Sequence, residues 1–308
     1  MENNLKKILL TGGTGTVGKS FIKNYINKYS FYNISRGGEP LVNLNREFPD
    51  VTNFMGELSD SSFLNKVFKK VKPDVVIHLS ALKHVDFAEE NPIKTCEANV
   101  LASINIINAS LNNNIPKTIG ISTDKACSPE NVYGHTKSLM EKCFLDADNP
   151  DNRFAICRFA NVAHSSGSVI PYWLSLKDKG LPLNITDPNM NRLMFSKNDS
   201  SKLIEECVNL CDNEGGFIIS EKMKSVNILD LAKSISPNIK IIGKRPGEKM
   251  DEKLVNNKEV DYAYNHKEYL LIKKQMNPQK QLEQEYSSLT AEKMTREEIK
   301  QLIYQNES

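Results

Sequence analysis

The chain has 308 residues, with 40 Lys and Arg against 38 Asp and Glu, a net charge of +2 and 39% hydrophobic residues. That length suits two ordinary domains, or one large α/β domain with an added lobe, and the composition supports a sizeable core without disulfides or metals. The near-neutral balance gives no electrostatic footprint for nucleic acid or an anionic membrane, and no apolar run of about 18 residues provides a spanning helix; the expectation is no nucleic acid and no membrane as partner.

The polar start, Met1–Lys7, runs directly into a strand and lacks the apolar stretch of a secretory signal. Cysteines at 96, 127, 143, 157, 207 and 211 form no Cys-x-x-Cys pair. Cys207 and Cys211 have no His or Cys partner at zinc spacing, so the reading is reduced thiols, a cytoplasmic setting and no metal.

Lys7–Leu10 is an apolar strand that ends in a glycine loop, and Val17–Ile26 reads as the following helix. Phe31–Ser35 and Val51–Met55 are the next strands, with a helix near Ser61–Lys70. Asp74–Leu79 is a buried strand followed by a long helix across Pro92–Asn113. Thr118–Ser122 is a strand, Asn131–Leu145 a helix and Phe154–Phe159 another strand. This alternation predicts right-handed crossovers and a parallel sheet covered on both faces.

After Asn161 the pattern changes, with frequent Gly and Pro and short strands. Lys197–Cys211 and Ile228–Ile235 look helical, and Gly216–Ser220 is an isolated strand able to return to the first sheet. The tail from Asn256 is polar, with a last helix near Thr295–Tyr304. The expected fold is α/β. A Rossmann-type doubly wound parallel sheet occupies 1–165, with a returning segment near 197–225, and 166–308 is mainly a smaller C-terminal substrate-binding lobe and tail.

Gly12, Gly15 and Gly18 lie between the first strand and the first helix. Gly12 allows the tight turn, Gly15 lets a pyrophosphate approach the backbone, and Gly18 lets the helix pack close, with its amides facing the phosphates. An NAD site would put an acidic residue after the second strand; here stand Ser35 and Arg36. A hydroxyl and a guanidinium suit the 2′-phosphate of NADP, although a solvated loop arginine is the plainer alternative.

Tyr133 and Lys137 stand four residues apart on one helical face. An ammonium beside the phenol is expected to lower its pKa toward a useful range. Thr123, Asp124 and Lys125 sit at the carboxyl end of the fifth strand, where ligands bind in open α/β sheets. Asp124 and Lys125 supply an acid and a base side by side, which suits elimination of water: the base removes a proton from carbon 5 and the acid protonates the hydroxyl leaving carbon 6.

With these motifs the chain resembles the UDP-N-acetylglucosamine 4,6-dehydratases of the extended short-chain dehydrogenase/reductase superfamily, and most of all the soluble inverting enzymes of pseudaminic-acid and capsule pathways. The likeness rests on Leu79–Val85, Ser122–Ala126, Tyr133–Lys137 and Gly167–Pro171, and continues through Ile185–Pro188, Met190, Arg192 and Arg245–Met250. It implies Thr123 as a sugar contact, Asp124 as acid, Lys125 as base, and Tyr133 supported by Lys137 in deprotonating the carbon 4 hydroxyl. It implies an NADP site of Gly12, Thr14, Gly15, Thr16, Val17, Gly18, Ser35, Arg36, Glu57, Leu58, Ala81, Lys83, Asn99, Tyr133 and Lys137. It implies a substrate site of Lys83, His84, Thr123, Asn161, Val169, Arg192, Arg245 and Glu248 for UDP-N-acetylglucosamine, and self-association as a dimer or hexamer. His84 also reads as a packed structural histidine.

Three segments depart from the family pattern: Arg158-Phe159-Ala160-Asn161, His164-Ser165-Ser166 and Gly56-Glu57. The changes bear on substrate preference. Rival readings are a retaining dehydratase, a nucleotide-sugar 4-epimerase or 4-reductase, and a catalytically silent NADP-binding regulator. The Asp124–Lys125 pair argues against the epimerase and reductase. The full set Thr123, Asp124, Lys125, Tyr133 and Lys137 argues against the silent regulator.

Overall fold

The computed structural model describes residues 5–245, 247–276 and 282–304. The chain begins with β1 (Lys6–Thr11), α1 (Thr16–Tyr25), β2 (Tyr29–Ser35), α2 (Gly38–Glu47), β3 (Thr52–Met55), α3 (Ser61–Val71) and β4 (Val75–His78). It continues through α4 (Val85–Glu90), α5 (Pro92–Cys96) and α6 (Ala102–Asn112), the last two joined by a π-helical turn at Glu97–Leu101. Then come β5 (Lys117–Thr123), α7 (Val132–Ala147) and β6 (Arg153–Phe159). These six strands pair in parallel in the order β3-β2-β1-β4-β5-β6. β4 reads Val-Val-Ile-His and is buried at every position, as a central strand covered on both faces must be. The order reverses between β1 and β4, so a crevice opens at the carboxyl ends of those two strands.

The second half contributes β7 (Asn161–Val162), α8 (Val169–Asp178), β8 (Leu183–Ile185), β9 (Asn191–Phe195), α9 (Lys197–Leu210) and β10 (Phe217–Glu221). It ends with β11 (Ser225–Asn227), α10 (Ile228–Ile235), β12 (Ile239–Ile241), β13 (Lys253–Val255), β14 (Ala263–His266), β15 (Tyr269–Lys273), β16 (Tyr286–Ser287) and α11 (Arg296–Tyr304). β10 pairs in parallel with β6, and α9 packs on α1, where Ser201 Oγ donates to Ser20 Oγ and Asn24 Nδ2 donates to Asn198 Oδ1. A separate apolar cluster gathers Ile170, Trp173, Ile185, Leu231, Ile235 and Ile299 from α8, β8, α10 and α11. This cluster is the core of a smaller lobe beside the sheet.

Four elements in particular differ from the sequence reading. α2 forms across Gly38-Glu39-Pro40, and α8 forms across Val169-Ile170-Pro171. In each the proline occupies the first turn, where its missing N–H has no intrahelical partner to lose. The polar tail contains β14 and β15, which extend the main sheet antiparallel beyond β10. β15 reads Tyr-Leu-Leu-Ile-Lys and buries its first four residues. Among the described residues, no helix is long and apolar enough to cross a membrane, and no group of His, Cys, Asp and Glu could hold a metal ion.

Candidate active site

Gly12 has φ +76°, and a Cβ there would lie 2.8 Å from Ser80 Oγ, just beyond β4. A Cβ on Gly18 would come within 2.5 Å of Gly13 Cα, so α1 packs against the loop only because Gly18 lacks a side chain. At Gly15 the one close atom is the Gly12 carbonyl oxygen at 3.3 Å, so the outer face of the loop is open. The loop is braced from β2, where buried Asn33 accepts the Gly13 N–H at 2.8 Å and donates to Asn53 Oδ1. Neither asparagine has a motif in one sequence to mark it.

At the end of β2 the Ser35 hydroxyl lies 3.4 Å from Thr14 Oγ1. Arg36 is exposed and has no partner among the described residues. Glu57 is exposed, Leu58 buried and Ala81 half-buried along the same rim. Asn99, in the π-helical turn, is buried and clamps Leu82: its Oδ1 accepts the Leu82 N–H at 2.8 Å and its Nδ2 donates to the Leu82 carbonyl at 3.0 Å. The extra residue of such a turn re-aims a side chain out of the ordinary helical register. Asn99 therefore holds the backbone after β4 in place.

Thr16 leads to the other wall. The Ser166 N–H donates to Thr16 Oγ1, and Lys83 Nζ donates to the Ser166 carbonyl at 2.7 Å. Desolvation lowers the Lys83 pKa. Gly167 has φ +74°, and a Cβ there would lie 2.8 Å from His84 Cε1. The departure segment thus crosses the mouth of the glycine loop. His164 sits at φ +56°, with Nε2 2.9 Å from the Leu302 carbonyl oxygen of α11.

The end of β5 carries the reactive groups. Asp124 is buried, Thr123 Oγ1 donates to its Oδ1 at 2.8 Å, and Lys125 Nζ donates to the same oxygen at 3.0 Å. Tyr133 is buried in the first turn of α7, which Asn131 caps by accepting the Gly134 N–H at 2.8 Å. Burial pushes the Tyr133 phenol up to about 12, and the Lys125 ammonium and Thr123 hydroxyl oppose that rise. The sequence expectation of a phenol lowered by Lys137 is therefore corrected: desolvation outweighs the cations, and the cation facing the phenol is Lys125. Lys137 is buried, donates to Met140 Sδ, and is pushed down to about 8 by burial.

One reactive-looking group escaped the sequence reading. Buried Glu252 sits with Oε1 3.6 Å from Lys125 Nζ. Burial raises its pKa, and the Lys125 ammonium pulls the other way. Its only sequence signal is its place just beyond Arg245–Met250. Pro246 of that motif lies outside the described residues.

The remaining predicted substrate residues are engaged with one another. Arg192 is buried, and its Nη donors go to the carbonyls of Asn191, Met250 and Lys249 and to Met190 Sδ. Glu248 accepts from Thr186 Oγ1 and from the Arg245 N–H. Exposed Arg245 pairs with Asp86 of α4 at 3.2 Å. Asn161 Nδ2 donates to the Leu193 carbonyl. Val169 is half-buried at the start of α8, after Ser168, whose buried hydroxyl has no partner among the described residues. The structure thus gathers Thr123, Asp124, Lys125 and Tyr133 tightly, with Lys83 and His84 at a rim, while Arg192 and Glu248 brace the loop that carries Glu252.

The description "polysaccharide biosynthesis protein" matches residues 8–274. The chain belongs to that family. It is 37% identical to a Campylobacter jejuni protein named UDP-N-acetylglucosamine 4,6-dehydratase (inverting), over 87% of this chain and 83% of that one. It is 29% identical to a UDP-glucose 4-epimerase of Rickettsia massiliae, over 97% of this chain and 95% of that one. The X-ray structure of Pen from Bacillus thuringiensis superimposes with a TM-score of 0.90 at 28% identity, covering 98% of both chains. The polysaccharide biosynthesis family fold here is that of the extended short-chain dehydrogenase/reductases.

Proposed function

We propose that the chain is an NADP-dependent UDP-N-acetylglucosamine 4,6-dehydratase that inverts carbon 5, forming UDP-2-acetamido-2,6-dideoxy-β-L-arabino-hex-4-ulose. The observation that carries this reading is the pair of buried Asp124 and half-buried Lys125 at the end of β5, hydrogen-bonded at 3.0 Å and beside Tyr133. An epimerase needs no acid and base for elimination there. The named C. jejuni relative supports the same choice.

The glycine loop fits a dinucleotide, because its outer face at Gly15 is open and α1 begins directly behind it. Ser35 and the unpaired Arg36 would hold a 2′-phosphate. When bound, the nicotinamide takes a hydride from carbon 4 and returns it at carbon 6, so the reaction carries no net redox change.

The protein's residues manage the protons. Tyr133 takes the proton of the carbon 4 hydroxyl in its phenolate form, which the Lys125 ammonium and the Thr123 hydroxyl favour against the burial that raises its pKa. Lys125 passes a proton to Asp124 across their hydrogen bond, giving an amine base and a carboxylic acid together. Lys125 then removes the carbon 5 proton as the carbon 6–oxygen bond breaks, and Asp124 protonates the departing oxygen to give water. Tyr133 returns its proton to carbon 5. Lys125 ends as ammonium, Asp124 as carboxylate and Tyr133 as phenolate, so the cycle closes.

The uridine diphosphate falls to Arg245, Asn161 and the amino end of α8 at Ser168 and Val169. Apolar side chains exposed along α5 and α6 support self-association. Incubation with UDP-N-acetylglucosamine and no added reductant tests the reading. A 4-keto-6-deoxy product is expected; UDP-N-acetylgalactosamine, or no turnover, overturns it.

A further inference from the structure

The segment after Gly247 meets the loop between β5 and α7 at three places. Asn131 Nδ2 donates to the Gly247 carbonyl at 3.1 Å, Lys249 Nζ donates to the Ser128 carbonyl, and Glu252 reaches Lys125. The segment is pinned from behind as well. Arg192 donates to the carbonyls of Lys249 and Met250, the Glu252 N–H donates to Ser288 Oγ at 3.1 Å, and the Ser288 N–H donates to the Glu252 carbonyl at 2.8 Å. This is a great deal of structure for one carboxylate.

Glu252 Oε2 and Asp124 Oδ2 are both buried with no hydrogen-bond partner among the described residues. Burying a carboxylate that is only partly satisfied costs stability unless a nearby charge offsets it. Here two carboxylates bracket one ammonium, Asp124 at 3.0 Å and Glu252 at 3.6 Å. The Lys125 side chain remains 21% exposed, so it is not closed off by the two carboxylates.

We propose that Glu252 is a positioning residue for Lys125, holding its amine toward the cleft and strengthening it as the base that removes the carbon 5 proton. The inference rests on the dehydratase reading above. As Lys125 begins to take the carbon 5 proton, Asp124 still holds the proton destined for the leaving oxygen and is neutral. The new ammonium then needs another negative charge beside it, and Glu252 supplies one. Lys125 is faced by Asp124 from its own turn, Glu252 from the pinned segment, Arg192 from β9 and Tyr133 from α7. Glu252 is faced by Lys125, Asp124, Arg192 and Lys249. The two carboxylates hold the Lys125 pKa above that of an ordinary lysine, against desolvation and against Arg192. Loss of the Glu252 charge makes Lys125 a weaker base.

The test uses the whole chain as wild type, Glu252→Gln and Glu252→Asp. Acetylation of Lys125 by acetic anhydride is followed across pH by mass spectrometry, independently of turnover. Its midpoint is expected at lower pH in Glu252→Gln than in wild type, with Glu252→Asp restored toward wild type. Dehydration by Glu252→Gln is expected to slow about tenfold or more, while single-turnover formation of reduced cofactor continues, because the step at carbon 4 does not use Lys125 as base. An unchanged Lys125 midpoint, or equal loss of both steps, overturns the inference. Absence of dehydration by the wild type overturns the dehydratase reading instead, and shows as a lack of product with the Lys125 midpoints still measurable; a midpoint shift without any wild-type dehydration removes the base role.

Discussion

Arg158 grips Glu141 through two parallel hydrogen bonds, Nε to Oε1 at 2.9 Å and Nη2 to Oε2 at 2.7 Å. Its remaining donors reach Glu259 and the Leu254 carbonyl, so a guanidinium only 1% exposed is satisfied on every side. The cluster ties β6 to α7 and to the segment after β13. Glu141 lies one helical turn beyond Lys137, so the same cluster fixes the helix that presents Tyr133.

Arg158→Leu is therefore expected to cost about 3–5 kcal/mol, because it leaves buried Glu141 and half-buried Glu259 without their cation. Urea denaturation checks this. An unchanged midpoint would show that Glu141 and Glu259 find other partners or take up protons at no cost.

Much of the fold was legible because its signals are local. β1, its glycine loop and α1 follow within a few residues of one another, and β4 opens with the apolar run Val75-Val76-Ile77. Tyr133 and Lys137 share one helix face, and Asp124 and Lys125 are neighbours, so both pairs show in the chain itself. Glu252 did not show, because its partner stands far away at Lys125 and no local pattern marks a carboxylate as buried. Asn33 was hidden for the same reason, since its role is to accept the Gly13 N–H across the sheet. α2 and α8 carry Pro40 and Pro171 in their first turns, and neither helix is among the elements expected from the sequence. Arg192 belongs to the substrate site that the resemblance implies, and its Nη donors are engaged by backbone carbonyls and Met190 Sδ.

Lys137 gives a prediction about stability and pH. Burial lowers its pKa from the ordinary 10.5 to about 8. Between those values the unfolded chain binds the proton more readily than the folded one, so this group's contribution to stability rises with pH there. Below about 8 the full penalty applies, and above about 10.5 it vanishes. Lys137→Met should stabilise the protein at neutral pH by up to roughly 3 kcal/mol, an advantage that fades in strong alkali. Thermal or urea unfolding at neutral and alkaline pH measures it, and a gain independent of pH would assign the effect to packing.

Arg36 tests the cofactor. A charge-assisted bond to a 2′-phosphate that NAD lacks should favour NADP, so Arg36→Ala is expected to weaken NADP binding about tenfold or more while leaving NAD binding unchanged. Calorimetric titration of both dinucleotides decides it. Equal affinities in the wild type would remove NADP from the reading.

Self-association has a surface to test. Ile93 is 73% exposed and Leu101 44%, with Ile104 beside them on the α5–α6 run. Exposed side chains of this kind along adjoining helices suit a second copy of the chain. Ile93→Glu with Leu101→Glu should yield monomers by light scattering, with folding retained. An assembly of unchanged mass would place the contact elsewhere.

Tyr133 decides the stereochemistry. After water leaves, carbon 5 is planar, and its configuration depends on which face receives the proton. Lys125 removed the original proton, so its return from Lys125 gives retention. Tyr133 holds the proton taken from the carbon 4 hydroxyl, and its delivery from the other side gives inversion and restores the phenolate for the next cycle. Burial pushes the phenol up to about 12, so once protonated it keeps its proton until the carbon 5 anion, a much stronger base, claims it. Tyr133→Met removes that donor while filling the space with an apolar side chain. Its turnover should fall by about two orders of magnitude or more, the range lost with a general acid–base group, and the residual product should shift toward the D-xylo 4-keto sugar as Lys125 returns the proton. Proton NMR of fresh product in deuterated buffer reads both the isomer and the label at carbon 5. Wild-type product that is D-xylo at the earliest times, or Tyr133→Met product that is still wholly L-arabino, would show that the proton comes from another group.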